Sequence, residues 1–557
     1  MMNKDITVKG TNPITKLDFP DPDVICVEDT FYMISTTMHF MPGAEILRSY
    51  DLINWEHASF IYERLDGTPA QRLENDLHIY GKGMWAATIR YHEGMFYVVF
   101  VCNDTGKTYL YRSAEIEGPW VKSQIEGFYH DSSLLFDNGS AYLVYGNTDI
   151  YLTELNDDLT APKEGGLHRL IVSDKGNPQL GLEGSHLYKI EGRYYLFMIH
   201  SKRDKWRRVE ACYSSDSLLG EFVGGDIFDD DLSYRNMGIA QGGIVEGPKG
   251  VWNSVMFQDS GAVGRLPILV PVSWCDKNLK TSEAVAGLTE KSTDSAESIT
   301  MVKYPVFGCD GKASHDLYRQ SFRPDHKYSP LTDSDDFRYD PKEMYDKDKK
   351  NYGCFGFRSI WQFNHEPDLS LVRCDAEAGN LYIKTDKISK NIYHAKNTLT
   401  QRMTFPGCVG EVTVDGSGLN DGDAAGLAAF QGNYAWVGLR KEEGKLYAVM
   451  CSFTNNSGDV WNLSDESGTI EEKIELDESA VRLRLKVIFS GEDGTEDTAF
   501  CAIDRGKGFE KIGQPHKLSF RLDHFTGCRF GLFIYSEEKT GGEAGFKNFV
   551  YAPSSQL

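Results

Sequence analysis

Short apolar strands alternate with polar turns along the first half of the chain, and one unit of this alternation returns five times. Each unit has a polar first residue, a short apolar stretch, a charged or glycine turn, and a second stretch rich in aromatic residues. The copies read DPDVICVEDTFYMIS from Asp21, WAATIRYHEGMFYVVF from Trp85, DSSLLFDNGSAYLVYG from Asp131, EGSHLYKIEGRYYLFM from Glu183 and QGGIVEGPKGVWNSVMF from Gln241. Runs of β-branched and aromatic residues between turn residues predict strands, and no long amphipathic helical period interrupts them. Aligned on the second-strand aromatic (Tyr32, Tyr97, Tyr142, Tyr195 and Trp252), the copies lie 65, 45, 53 and 57 residues apart. The first residue precedes that aromatic by 11 or 12 positions in every copy. A period of this length marks radial architectures, so residues 1–274 are predicted to form a five-bladed β-propeller.

If each copy is a blade, its first residue starts the innermost strand and faces the central channel. Asp21, Trp85, Asp131, Glu183 and Gln241 then converge on one axis. Cleavage of a glycosidic bond needs one carboxyl to protonate the leaving oxygen and a second to activate water or attack the anomeric carbon. These roles demand opposite protonation states at one pH, and a third carboxylate beside the acid provides the control. Asp21, Asp131 and Glu183 can supply all three parts. Acids at strand starts also bind backbone N–H groups in turns, but three in register at one blade position favour a shared site. Trp85, which could instead be blade packing, is read as a sugar-stacking wall. Gln241 is read as a cavity-lining amide or as a turn cap.

Residues 275–350 turn polar and charged, with TEKSTDSAES and YDPKEMYDKDKK, and read as a connecting strap with an exposed loop. Strand patterns resume from about Cys354, as in IWQFNH, LYIKT, VGEVTV, GLAAFQGNYAWVGLRK, KLYAVMC, VRLRLKVIFS, GCRFGLFIYS and FKNFVY. Residues 351–557 are therefore expected to form a β-sandwich. The carboxylate repeat does not recur there, so this domain is expected to shape the substrate site.

At 557 residues the chain has room for two or more cores. The formal charge of -23 argues against nucleic acid and anionic membrane surfaces and suits a neutral ligand. No 18-residue apolar run predicts a membrane span. Eleven cysteines without a CxxC pair read as buried free thiols of a reducing compartment. The opening MMNKDITVKGTNP lacks an apolar h-region, so a cytoplasmic location is expected. No His/Cys cluster has zinc spacing. Hard oxygen donors would favour calcium on the propeller axis, with Gln241 as a ligand. GEDGTEDT and DGSGLNDGD read as acidic turns, since the twelve-residue calcium-loop order is missing.

These motifs resemble glycoside hydrolase family 43, in particular its two-domain β-xylosidase/α-L-arabinofuranosidase branch. NPITKLDFPDPDVICVEDTFYMISTT looks like that family's opening motif, which implies that Asp21 is the general base. HDSSLLFDNGSAYLVYG matches the motif whose aspartate, here Asp131, tunes the acid and orients the substrate. LEGSHLYKIEGRYYLF matches the motif whose glutamate, here Glu183, is the general acid. GMWAATIRY resembles the tryptophan-bearing segment around Trp85. Arg265 of GRLPILVPVSW matches an arginine that reaches the pocket, and the STTMHFMPG loop makes His39 a further substrate contact. WQFNHEPD, AKNTLTQR and GDAAGLAAFQ are similar to the family's C-terminal concanavalin-like jelly roll. Ser185 departs from the family's Pro in the E-G-P-H motif. Gln241 stands where many members carry a His near an axial calcium.

The resemblance implies an inverting, exo-acting hydrolase that releases xylose and arabinofuranose from xylo-oligosaccharides or arabinoxylan fragments, with no cofactor needed for the chemistry. An arabinan-directed α-L-arabinofuranosidase and a non-catalytic carbohydrate-binding propeller remain open alternatives, as does assembly into a homo-oligomer. A retaining fructan or sucrose hydrolase would carry R-D-P and E-C motifs, and neither is present.

Overall fold

The computed structural model describes residues 7–280, 299–347 and 354–553. The first four repeats each form a four-stranded antiparallel unit whose strands follow chain order from the axis outward, and the fifth adds a short extra strand, Ile239–Ala240, to its unit. The innermost strands are Asp23–Val27, Met84–His92, Ser133–Asp137, Glu183–Ile190 and Ile244–Gly247. Around the ring the first four touch their neighbours in order, and Ile244–Gly247 touches Asp23–Val27. The tight turns to the second strands explain why the repeat is so legible. Glu93-Gly94, Asn138-Gly139, Glu191-Gly192 and Lys249-Gly250 all have both φ values positive. This conformation matches the right-handed twist of the flanking strands, and its second position favours glycine.

Among the described residues no strand is shared between the last and first blades. The ring closes there through packing of Phe31, Leu47, Val245, Val255 and Leu269. Full burial of side chains of this size contributes about 1.5–3 kcal/mol each. Asn12 adds a polar stitch: its Nδ2 donates to the Leu269 carbonyl and its Oδ1 accepts from the Leu269 N–H, both at 2.9 Å.

The propeller does not end at Trp274. Its fifth blade continues through Arg265–Lys280 and Ile299–Phe307, and Asp316–Gln320 pairs with Thr7–Thr11. The outer end of Arg265–Lys280 was hidden because CDKNLK carries little apolar signal; Cys275 to Asn278 are exposed. The TEKSTDSAES stretch of the expected strap lies outside the described residues. YDPKEMYDKDKK holds a short helix, Pro341–Lys347. Among the described residues no helix is long and apolar enough to cross a membrane.

Two large antiparallel sheets form the C-terminal sandwich and pack Leu427, Val437, Leu483, Leu485, Leu532 and Phe546 between them. Sequence patterns located the long central strands but missed others, among them Val372–Asp375, Leu399–Arg402, Thr469–Leu476 and Glu496–Asp504. One sheet borrows its last strand from the propeller: Phe40–Met41 pairs with Gln362–Asn364. The two domains therefore share a hydrogen-bonded sheet.

Buried charge reinforces that junction. Arg402 of the sandwich donates from Nη1 to Glu45 Oε2 at 2.6 Å and from Nε to the Asp18 carbonyl at 2.9 Å. Burial alone would raise the Glu45 carboxyl, but Arg402 and His57 override it and hold it down to about 2. A carboxyl depressed in the folded state stabilises above its unfolded pKa of 4.5, and that contribution is lost as pH falls through about 2. Glu45→Gln should cost about 3–5 kcal/mol near neutral pH, because it strands the Arg402 charge. Urea unfolding at pH 7 and pH 3 checks this: the wild type should lose more stability than the variant over that interval.

Candidate active site

The five repeat-opening residues reach the axis by two backbone devices. Asp21, Asp131 and Gln241 lie just ahead of their strands with left-handed φ values of 52°, 48° and 56°. Such a conformation costs a non-glycine residue roughly 1–2 kcal/mol, so its recurrence around one axis marks a constrained site. Trp85 and Glu183 lie within their strands instead, each at a register shift, between Met84 and Ala87 and between Glu183 and His186. A bulge re-aims the side chain it carries. At the second bulge Gly184 has φ 63°, and a Cβ there would sit 2.7 Å from Gln241 Cγ. Gln241 thus packs directly against the turn that carries Glu183.

Asp21 is buried and accepts a 2.7 Å hydrogen bond from Arg265 Nη1, itself only 3% exposed. Burial raises the Asp21 carboxyl; Arg265 and then Arg208 oppose this, while Glu183 and Asp18 add to it. Arg265 is fixed from three sides. Its backbone N–H donates to Asp18 Oδ1 at 2.7 Å, its Nη2 donates to the Phe525 carbonyl at 3.3 Å, and its guanidinium lies 4.5 Å from the Phe525 ring centroid. Asp18 Oδ2 accepts from the Gly527 N–H at 2.7 Å, so one carboxylate ties the fifth blade to the sandwich.

Across the cavity Asp131 and Glu183 share a histidine. His130 Nε2 lies 3.6 Å from Asp131 Oδ2 and 3.6 Å from Glu183 Oε2. Asn147 Nδ2 donates to Glu183 Oε2 at 2.5 Å. Burial pushes Asp131 up to about 7, with His130 opposing and Glu183 and Asp21 reinforcing. Burial works to lower His130, but the surrounding carboxylates win and push it up to about 9.

An aromatic wall completes the cavity. The Trp85 ring lies 5.7 Å from His130, 5.4 Å from Phe525 and 6.4 Å from Trp461, nearly parallel to the last. Phe525 and Trp461 belong to the sandwich, which therefore leans over the channel mouth. Sequence reasoning missed both, because nothing local signals which loop of a second domain will cover the first. It also missed His130 and Asn147, although His130 adjoins Asp131 and Asn147 ends the polar tip of the same blade's second strand.

His39 is placed differently from its expected role. It is fully enclosed, with its ring 4.3–5.8 Å from Phe40, Tyr80, His365 and His524 at the domain junction. A sugar could reach it only by displacing these rings, so the expected substrate contact is corrected to a buried packing residue. The turn that delivers Phe40–Met41 to the sandwich carries His39 inward with it.

The expected calcium ligand Gln241 does not adjoin a cluster of carboxylates among the described residues. Its backbone N–H donates to Glu210 Oε2 at 2.8 Å, and its side chain packs on Gly184. Among the described residues, the group of three potential metal ligands within 4.8 Å of one another is His130, Asp131 and Glu183. One imidazole with two carboxylates is not the all-oxygen shell calcium takes, so these residues do not fit calcium. Arg265→Met should raise the Asp21 pKa further, since it removes the nearest opposite charge. Carboxyl ¹³C NMR titration of wild type and variant reads that shift.

Comparison with known proteins identifies both domains. The family model for glycosyl hydrolases family 43 matches residues 10–278, and the beta xylosidase C-terminal concanavalin A-like domain matches residues 357–552. A beta-xylosidase of Formosa agariphila is 24% identical over 97% of this chain and 90% of its own length. A xylosidase/arabinosidase of Butyrivibrio fibrisolvens is 27% identical over 51% of this chain and 58% of its own. The solved structure of a bifunctional GH43-CE protein of Bacteroides eggerthii superposes with a TM-score of 0.82 at 34% identity. That match covers 99% of this chain, which spans 64% of the bifunctional protein's length.

Proposed function

Because the chain belongs to glycosyl hydrolase family 43, we propose that it removes xylose, and arabinofuranose as well, from the non-reducing ends of xylo-oligosaccharides and arabinoxylan fragments. The relatives named for xylosidase and arabinosidase activity support this pair of sugars. A cavity mouth narrowed by Phe525 and Trp461 beside Trp85 supports removal of terminal units over internal cleavage.

The observation that carries the reading is the unequal pairing of the three carboxylates. Asp21 is bonded to a guanidinium that stays charged at every working pH, which favours its anion. Asp131 and Glu183 accept no arginine hydrogen bond among the described residues and share one imidazole. Acid–base cleavage of a glycoside requires two carboxyls in opposite protonation states, and an anion at Asp21 has the Arg265 guanidinium as its partner. Asp21 takes a proton from water as that water attacks the anomeric carbon. Glu183 gives its proton to the departing glycosidic oxygen in the same displacement, and the configuration inverts. Asn147 occupies Glu183 Oε2, which leaves Oε1 as the proton carrier. No metal is needed for any of these steps.

Nitrophenyl β-xyloside and nitrophenyl α-L-arabinofuranoside, assayed side by side, test the reading; release from neither substrate refutes it. Asp21→Asn and Glu183→Gln should each lower turnover by at least about a hundredfold, and full activity in either would remove that residue from the chemistry. Proton NMR of the first sugar formed from a β-xyloside should show α-xylose. Treatment with a chelator should leave the rate unchanged.

A further inference from the structure

The cavity that holds the carboxylates is stopped at its inner end. Two residues beyond Asp21, the fully buried Asp23 accepts from Arg90 Nη1 at 2.6 Å, and Arg90 Nη2 donates to Ser133 Oγ at 2.8 Å. Ser133 Oγ also accepts from the Leu187 N–H at 2.9 Å. These bonds tie the innermost strands of four blades together across the axis. The fifth blade presses on the same plug: a Cβ on Gly243 would fall 1.8 Å from Tyr188 Oη, and the Tyr188 ring lies 5.1 Å from the Arg90 guanidinium. Whatever extends beyond the sugar being released must therefore leave on the sandwich side, past the rings at the mouth.

Those rings lie at graded depth. Trp85 and Phe525 are partly buried, whereas Trp461 is 49% exposed and is the outermost of the three. Its ring lies 6.4 Å from Trp85 at 17° from parallel, and 5.6 Å from Phe525 at 64°. The loop that carries it is pinned. Asn455, itself buried, donates from Nδ2 to the Asn462 carbonyl at 2.9 Å and to Asp523 Oδ2 at 3.2 Å. Arg521 Nη1 donates to the Asn455 carbonyl at 3.1 Å, and Asp459 Oδ1 accepts from the Trp461 N–H at 3.0 Å. The indole is thus presented at the mouth before any ligand arrives, which lowers the ordering cost of binding.

We propose that Trp461 is the platform for the leaving part of the substrate: the second sugar, joined to the terminal one through the bond that is cut, lays its C–H face on this indole. The inference rests on the exo-glycosidase reading and deepens it, because a sandwich residue then decides how well substrates longer than one unit are held. A flat apolar ring with a polar edge suits a neutral pyranose, which presents C–H groups on its face and hydroxyls around its rim. Trp85, deeper and beside His130, is left to face the terminal sugar.

Free xylose fills the terminal position alone and xylobiose fills both, so the two ligands separate the roles. In Trp461→Ala, kcat/KM for xylobiose should fall about tenfold, mostly through KM, while the inhibition constant of xylose changes by less than about twofold. Trp461→Phe should recover most of the loss. Equal weakening of xylose and xylobiose would overturn the inference, since Trp461 would then only brace Phe525 and the terminal-sugar pocket. Unchanged kinetics on xylobiose would overturn it as well. Should the alanine variant fail to fold, Trp461→Gln exchanges the flat ring for a flexible polar chain and is held to the same outcomes. Calorimetric binding to Glu183→Gln protein, with and without Trp461→Ala, repeats the comparison with no turnover: xylobiose should bind more tightly than xylose only where Trp461 is present. If the wild type cleaves neither nitrophenyl substrate, the glycosidase reading fails, and this binding difference still decides the platform separately.

Discussion

The guanidinium of Arg265 stands where three parts of the chain meet. Its backbone is held by Asp18 from the first residues of the propeller, one arm reaches Asp21, and the other reaches the Phe525 carbonyl of the sandwich. Asp18 in turn receives the Gly527 N–H. A buried arginine is tolerable only when its charge is matched and its donors are used. The ion pair with Asp21 therefore depends on both domains being in place. The site is a product of their docking, and its electrostatics are set by which carboxylate receives the permanent cation. Asp21 does; Asp131 and Glu183 are left with a titratable imidazole.

Much of this was readable in the sequence because the propeller writes itself five times. The X-Gly turns fix register, and register fixes which residue meets the axis. Asp21, Asp131 and Gln241 showed in the pattern as polar residues ahead of apolar runs, and the structure gives them left-handed backbones at those positions. The expectation that each would begin its strand was too simple. Glu183 does begin one, while Trp85 depends on a bulge within its strand. Repeat alignment cannot see a bulge, because it changes direction without changing composition.

What stayed hidden was non-local. Arg208–Asp259, Arg402–Glu45 and the Phe525–Arg265 contact join residues 51 to 357 positions apart, and no period in the chain encodes them. His39 shows the cost of local reading: its neighbours in sequence suggested a pocket edge, and its neighbours in space are Tyr80, His365 and His524. The outer end of Arg265–Lys280 was lost for a different reason. Exposed strands at the rim need no apolar alternation, so CDKNLK gave nothing to detect.

The two-residue strand Phe40–Met41 reaches beyond its length. It occupies the open flank of Gln362–Asn364, whose N–H and C=O groups would otherwise face outward. A sandwich produced alone from about residue 351 would lack this cover and present bare peptide groups along one rim. Such a flank templates pairing with another copy. The catalytic half therefore acts as a chaperone for its companion, and separating the two at their apparent linker invites aggregation of the fragment.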